Sequence, residues 1–356
     1  MKILVVLVGV VGLLFGSGAS RNESTAASDG PRFIAAAPPG TIVFSSNRHA
    51  PRSSGATQRA FADFELYVVR PDGTGLTQIT RSPGALAEPR WSPDGNTLAF
   101  IWTLDGTDSQ LWIATADGKS LTMLVDLDGL AFEGLSWSPD GTQLAYTNNG
   151  SIRIRDVATG SHHRLVKGSW PAWSNAGGSP VVVYTSGRFV GEGSDTTLRV
   201  IDPDGTHDRP IVFGSDDHPS DLENASEASA EPKSSRIAFV TSANNYKGDA
   251  TTWNEQIYVA ELIDGDPVRT TAPRLISNSP TNDHWPPAWS KRPPSTEDDA
   301  CIVWTTDGKQ FGRGHLALTS AQRNDTRIVD LTSASRGYDF FPDWHPDAAC
   351  PRAATS

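Results

Sequence analysis

Trp91-Ser92-Pro93-Asp94-Gly95 and Trp137-Ser138-Pro139-Asp140-Gly141 are the same five residues, met twice along the chain. Partial copies stand at Trp173-Ser174, Trp289-Ser290 and Trp344–Asp347. A further copy without the Trp is read at Ala230–Phe239, where Pro232 and the apolar pattern match Trp137–Tyr146. From Trp91 to Trp344 the copies advance by about 51 residues per unit, the mark of a stacked or radial β architecture.

Each unit carries alternating apolar runs separated by turn residues. In one unit these runs are Leu98–Trp102, Leu111–Ala114 and Leu121–Val125, with turns at Pro93-Asp94-Gly95 and Asp117-Gly118. Asp-Gly suits a tight hairpin because Gly takes φ > 0 without steric cost. A lone four-stranded sheet cannot bury both faces, so the units must pack on one another, and a closed ring leaves few exposed edges. The first unit, from Thr41 through Ile79, has no strand of the Trp type, whereas the last copy at Phe341–Asp347 has that strand and nothing after it. The sequence therefore predicts an all-β, six-bladed propeller of four-stranded antiparallel blades over residues 40–350, closed by the C-terminal strand completing the first blade.

The WSPDG runs, with Leu66–Gly75 as a strand-and-turn segment, resemble the TolB-like β-propeller family. The resemblance covers most of the chain after residue 39. It implies a propeller, and an envelope protein as partner for the TolB branch. TolB proteins also carry an α/β domain ahead of the propeller, and the expectation is that this chain lacks it. Related propellers serve peptidases and oligogalacturonate lyases, so the resemblance specifies fold more sharply than role.

Met1-Lys2, the apolar run Ile3–Phe15 and the small residues Gly16–Ser20 read as a cleavable secretory signal over residues 1–20. The run is shorter than the roughly 20 apolar residues that span a bilayer. No Cys follows it, so neither lipid acylation nor membrane insertion is expected after cleavage. Residues 21–39 read as a flexible lead rich in Ser, Ala, Gly and Pro, and 351–356 as a tail. A secreted or periplasmic, monomeric protein follows. Cys301 and Cys350 are the only cysteines, and in an oxidising compartment an even pair predicts a disulfide. Its positions fit a clasp where the ring closes. The formal charge of −11 argues against a nucleic-acid surface, which needs clustered Lys and Arg.

In an antiparallel meander the WSPDG and Asp-Gly turns share one end of the propeller. The other end collects loops of uneven length, where binding residues usually sit. These loops supply Arg48, His49, Trp102, Arg188, Phe189, Tyr246, Trp253 and Arg313 as candidate ligand-binding residues. Entry into the inner strands adds Glu88, Glu133, Trp170, His284, Trp285 and Asp339 around the mouth of the central channel. Aromatics and Arg are the types favoured at binding hot spots.

Catalytic signatures do not accompany them. There is no G-x-S-x-G, no H-E-x-x-H, no paired C-x-x-C and no phosphate loop, and a hydrolase domain after Pro351 is not expected. Asp126-x-Asp128-Gly129 and Asp202-x-Asp204-Gly205 lack the acidic residue a calcium loop needs at its twelfth position, and read as turns. The leading expectation is a non-catalytic binder of a protein or peptide, without a cofactor. The alternative is a metal-dependent oligouronate lyase acting at the channel mouth. Calcium or another divalent ion held there by Glu88, Glu133 and Asp339 is the alternative to a site without a cofactor.

Overall fold

A computed structural model describes residues 30–49, 63–104, 108–129, 133–175, 178–187, 196–213, 225–232, 234–241, 256–277, 283–291, 300–306, 314–321, 328–332 and 337–351, with the side chains of 283–285 excepted. The first sheet contains β1 (Ile42–Ser46), β2 (Glu65–Val69) and β3 (Thr77–Gln78). The second is β4 (Ala85–Trp91), β5 (Thr97–Thr103), β6 (Ser109–Thr115) and β7 (Leu121–Leu127). The third is β8 (Leu135–Trp137), β9 (Gln143–Asn148), β10 (Ser151–Asp156) and β11 (His162–Lys167).

Next comes a run of β12 (Ser169–Ser174), β13 (Val181–Ser186), β14 (Thr197–Ile201) and β15 (Arg209–Val212). It is followed by β16 (Ser226–Ala230), β17 (Arg236–Thr241), β18 (Gln256–Ile263), β19 (Val268–Thr270) and β20 (Arg274–Leu275). These two antiparallel runs join into one nine-stranded sheet because β15 pairs in parallel with β19 at Ile211↔Val268 and Val212↔Arg269. The last sheet is β21 (Asp283–Trp289), β22 (Cys301–Thr306), β23 (His315–Ser320) and β24 (Val329–Asp330). Finally β25 (Asp339–Trp344) returns to pair with β1, giving the order β25-β1-β2-β3. The fold is thus an all-β propeller of antiparallel four-stranded blades, four of them separate sheets, with a nine-stranded sheet completing it.

Side chains alternate along each strand, so neighbouring residues serve different interfaces. Ile42 and Phe44 pack with Val303 and Leu316 of the last sheet, while Val43 between them packs with Leu86 and Leu98 of the second. Ala99 and Ile101 meet Leu144 and Tyr146, and Ala145 and Ile152 meet Trp173 and Val182. Val183 and Val200 meet Ile237 and Phe239, and Ala238 and Val240 meet Trp289 and Ile302. The packing circuit returns to its start.

In three of its five copies the repeated Trp has a specific task at these interfaces, whereas the indole N–H groups of Trp91 and Trp173 are buried without an acceptor. In those three the indole N–H donates to a carbonyl of the preceding inner strand: Trp137 to Arg90, Trp289 to Ser229 and Trp344 to Ala288, at 3.0, 3.1 and 3.1 Å. No aliphatic side chain fills that volume and supplies that donor. Cys301 and Cys350 form a disulfide with Cα atoms 5.5 Å apart, beside the pairing of β25 with β1.

One expectation needs correction. The described part of the lead, residues 30–39, is packed rather than free. Ile34 and Ala35 donate to the Ile79 carbonyl, Ala37 donates to Ala116, and Phe33 bridges Thr80. Phe33 and Ala37 join the core between the first two sheets, so burial outweighs the polar composition around them.

Candidate functional site at the channel mouth

At the turn end, the five-residue motif is a closed hydrogen-bond unit. Ser92 Oγ donates to Asp94 and accepts from the Thr97 N–H, while Asp94 accepts from the Asn96 N–H. Ser138, Asp140, Thr142 and Gln143 repeat this arrangement. Hydrogen bonds from Ser92 and Ser138 hold the Asp94 and Asp140 carboxyls below the usual carboxylate range. Lys291 stands where the motif has Pro and spans three inner strands. Its Nζ donates to Asp343 at 2.5 Å and to the Trp91 carbonyl at 2.8 Å.

At the other end, the inner strands share an irregularity. The register of β4, β12, β16, β21 and β25 shifts against its partner before the Trp position. Three residues before that position stand Glu88, Gly134, Trp170, Glu227, Pro286 and Phe341. Glu88, Trp170, Glu227 and Phe341 take φ of 50°, 54°, 53° and 55°, a region non-glycine residues avoid. Gly134 takes φ of 107°, and a Cβ there would lie 2.5 Å from the Trp170 Cα, so the close approach of two inner strands demands glycine.

These bulges bring their side chains together. Trp170 of β12 and Phe341 of β25 stack with ring centroids 6.4 Å apart. Their strands belong to sheets that are not neighbours in the packing circuit, so this contact spans the central axis. Phe64, Ala85, Ala87 and Phe340 complete the aromatic cluster. Glu88 is buried beside it, and its carboxylate accepts from the Gly134 N–H at 3.2 Å. Burial raises the Glu88 pKa to about 7, against the pull of Arg90 and that N–H; the Glu133 charge adds to the rise. Burial also raises Glu133, whose carbonyl accepts from the Trp170 N–H. The mouth therefore holds carboxyl groups of high proton affinity beside a buried aromatic cluster, with Glu133 the partly exposed member.

The other candidates from sequence fare differently. Arg48 and Asp339 meet in a buried bidentate ion pair at 2.7 Å that ties β25 to the loop after β1. Burial pushes the Asp339 carboxyl up and Arg48 works against it. Asp339 is thus turned to Arg48, and among the described residues no group of three His, Cys, Asp or Glu is placed to hold a metal. His49 hydrogen-bonds the Tyr67 hydroxyl, whose pKa burial pushes up to about 12. Trp102 is buried, donating to the Pro83 carbonyl and packing edge-on against Trp112 at 6.0 Å. His284 and Trp285 lie in β21, but their side chains fall outside the described residues, as do Arg188, Phe189, Tyr246, Trp253 and Arg313. Sequence reasoning missed Phe341, Glu227 and Gly134. Counting back three residues from each Trp position would have found them.

No family model matches the chain. Over 82 residues, 23% of this chain, it is 43% identical to the uncharacterized peptidase YuxL of Bacillus subtilis (strain 168). Over 87 residues, 24% of the chain, it is 31% identical to the Tol-Pal system protein TolB of Alcanivorax borkumensis. These stretches span only 12% and 19% of the two relatives' lengths. In three dimensions it superposes on TolB from Acinetobacter baumannii with a TM-score of 0.62 and 17% identity, covering 86% of this chain and 66% of that one. The chain is a TolB-like β-propeller. The TolB-like repeat accounts for the common scaffold.

Proposed function

We propose that this chain is an exported, non-catalytic propeller that binds a protein or peptide partner at its channel mouth. The two runs of the nine-stranded sheet count as two blades, which with the four separate sheets makes six. Residues 1–20 act as a secretory signal, 40–350 form the propeller, and the mature chain works as a monomer in the periplasm or outside the cell. Binding needs no metal or cofactor.

The observation that carries this reading is the set of four non-glycine residues held at positive φ around one end of the axis. Such backbone costs of order 1–3 kcal/mol each and gathers where function needs it. Here it packs Trp170 and Phe341 into a rigid buried cluster that holds the partly exposed Glu133 in place at the mouth. A recognition residue on a rigid support binds at low cost in conformational entropy. The likeness to a Tol-Pal system protein supports an envelope protein as partner. The likeness to a peptidase requires that turnover be tested alongside binding.

A photo-crosslinking residue placed at Glu133, with another at Lys119 on the turn end, tests this in the living envelope. The proposal expects a discrete crosslinked protein from position 133 and none from position 119. Crosslinks from position 119 alone, or hydrolysis of peptides or cleavage of polyuronate by the purified protein, would refute it.

A further inference from the structure

The outer half of the third sheet carries a charge pattern opposite to that of the whole molecule. In a chain of net charge −11, residues 151–167 hold four Lys and Arg against a single Asp. Strand pairing puts these charges on one face. Arg153 lies opposite Arg164, Arg155 opposite His162, and Lys167 opposite Ser151. Like charges directly across a sheet destabilise it, so pairing does not explain their placement.

Nor do carboxylates nearby. Asp156 is taken up by its own turn, accepting from the Thr159 N–H and hydroxyl. Among the described residues, none of Arg153, Arg155, Arg164 and Lys167 makes an ion pair. The Nε atoms of Arg153 and Arg155 are buried without a hydrogen-bond acceptor, while Arg155 Nη1 donates to the Gly160 carbonyl at 2.9 Å.

A second observation concerns the backbone. β11 is the outermost strand of its sheet, pairing with β10 alone, and runs for six residues with His162, His163, Arg164 and Lys167 exposed. The outermost β3 and β24 are two residues each, too short to template another strand, and β15 is already paired with β19. The outermost β7 is as long but carries Leu121, Met123, Leu124 and Val125 and no Lys or Arg. Among the described residues only β11 joins a long free edge to a row of positive charge.

We propose that β11 is a docking edge for an acidic, extended peptide segment of a protein partner. The segment adds as a further strand beside His162–Lys167, its alternate carboxylates meeting the cationic face. Main-chain bonds at a free edge give affinity and alternate side chains give specificity. This surface lies on the rim of the propeller and is independent of the channel mouth.

The test uses the mature protein and a fluorescent ten-residue peptide of alternating Glu and Thr. A Lys–Thr peptide, inorganic polyphosphate and phosphatidylglycerol vesicles serve as separate probes. The proposal expects anisotropy binding of the Glu–Thr peptide alone, with slowed amide exchange at 162–167. Arg164→Glu with Lys167→Glu should weaken binding on the order of tenfold or more, with an unchanged melting temperature. Absence of binding at low salt, or binding without protection of β11, would overturn it. So would equal binding of polyphosphate or vesicles, which would make the face a general anion surface. If the double variant only aggregates while the wild type binds no probe, the charges merely guard an exposed edge.

Discussion

At the turn end of the inner strands, Ser92 and Ser138 make the same bonds to Asp94 and Asp140, and Trp137, Trp289 and Trp344 donate to the same place on the strand before. At the mouth end positive φ recurs at Glu88, Gly134, Trp170, Glu227 and Phe341, residues of different chemistry, and Pro286 stands at the sixth position without it. One end keeps its chemistry nearly constant because most copies do the same mechanical job, although the indole N–H groups of Trp91 and Trp173 have no acceptor and Ala230 replaces the Trp in one copy. The other keeps its geometry in most copies and varies its chemistry, which is what the proposed recognition surface on a repeat scaffold requires.

The largest effects belong to the constant end. Trp344→Ala removes a fully buried indole and its bond to Ala288, and should cost about 3–5 kcal/mol in urea unfolding. Opening the Cys301–Cys350 bridge releases a constraint over 49 residues, worth about 4 kcal/mol in the chain-entropy model. The melting temperature with and without reductant measures it.

Glu88 gives the mouth its own signature. Its pKa is raised from 4.5 to about 7, so the folded state holds its proton more tightly than the unfolded chain. Its contribution is complete below pH 4.5 and fades as pH rises through 7. The loss reaches roughly 3 kcal/mol above that range. Glu88→Gln should abolish this slope and be the more stable protein at pH 8. A persisting slope would assign the titration elsewhere. The smallest effect separates packing from the hydrogen bond in the stitch: Trp137→Phe keeps most of the ring and loses the N–H donor to Arg90, at about 1 kcal/mol.

The repeat made the architecture legible because Trp, Pro, Asp and Gly each have a fixed local task. The missing strand in the first unit likewise foretold β25 beside β1. Non-local events were harder to read. Arg48 and Asp339 are 291 residues apart in sequence, so their ion pair exists only once the ring closes, and both looked available for a ligand. The bulges were hidden for another reason. Nothing in Glu88 or Phe341 announces positive φ; the register between two strands imposes it. Glu227 was obscured further because its unit has Ala230 where the others have Trp. Phe33 was overlooked because its neighbours are polar and small, although one aromatic suffices to pin a segment.

A double comparison tests the division of labour most directly. Glu133→Arg alters the mouth and Asp94→Ala the turn end, and each variant is measured for melting temperature and for capture of the crosslinked envelope partner. The account predicts that Glu133→Arg loses capture at an unchanged melting temperature, while Asp94→Ala melts earlier and captures normally. Lost capture in Asp94→Ala with full capture in Glu133→Arg would contradict it.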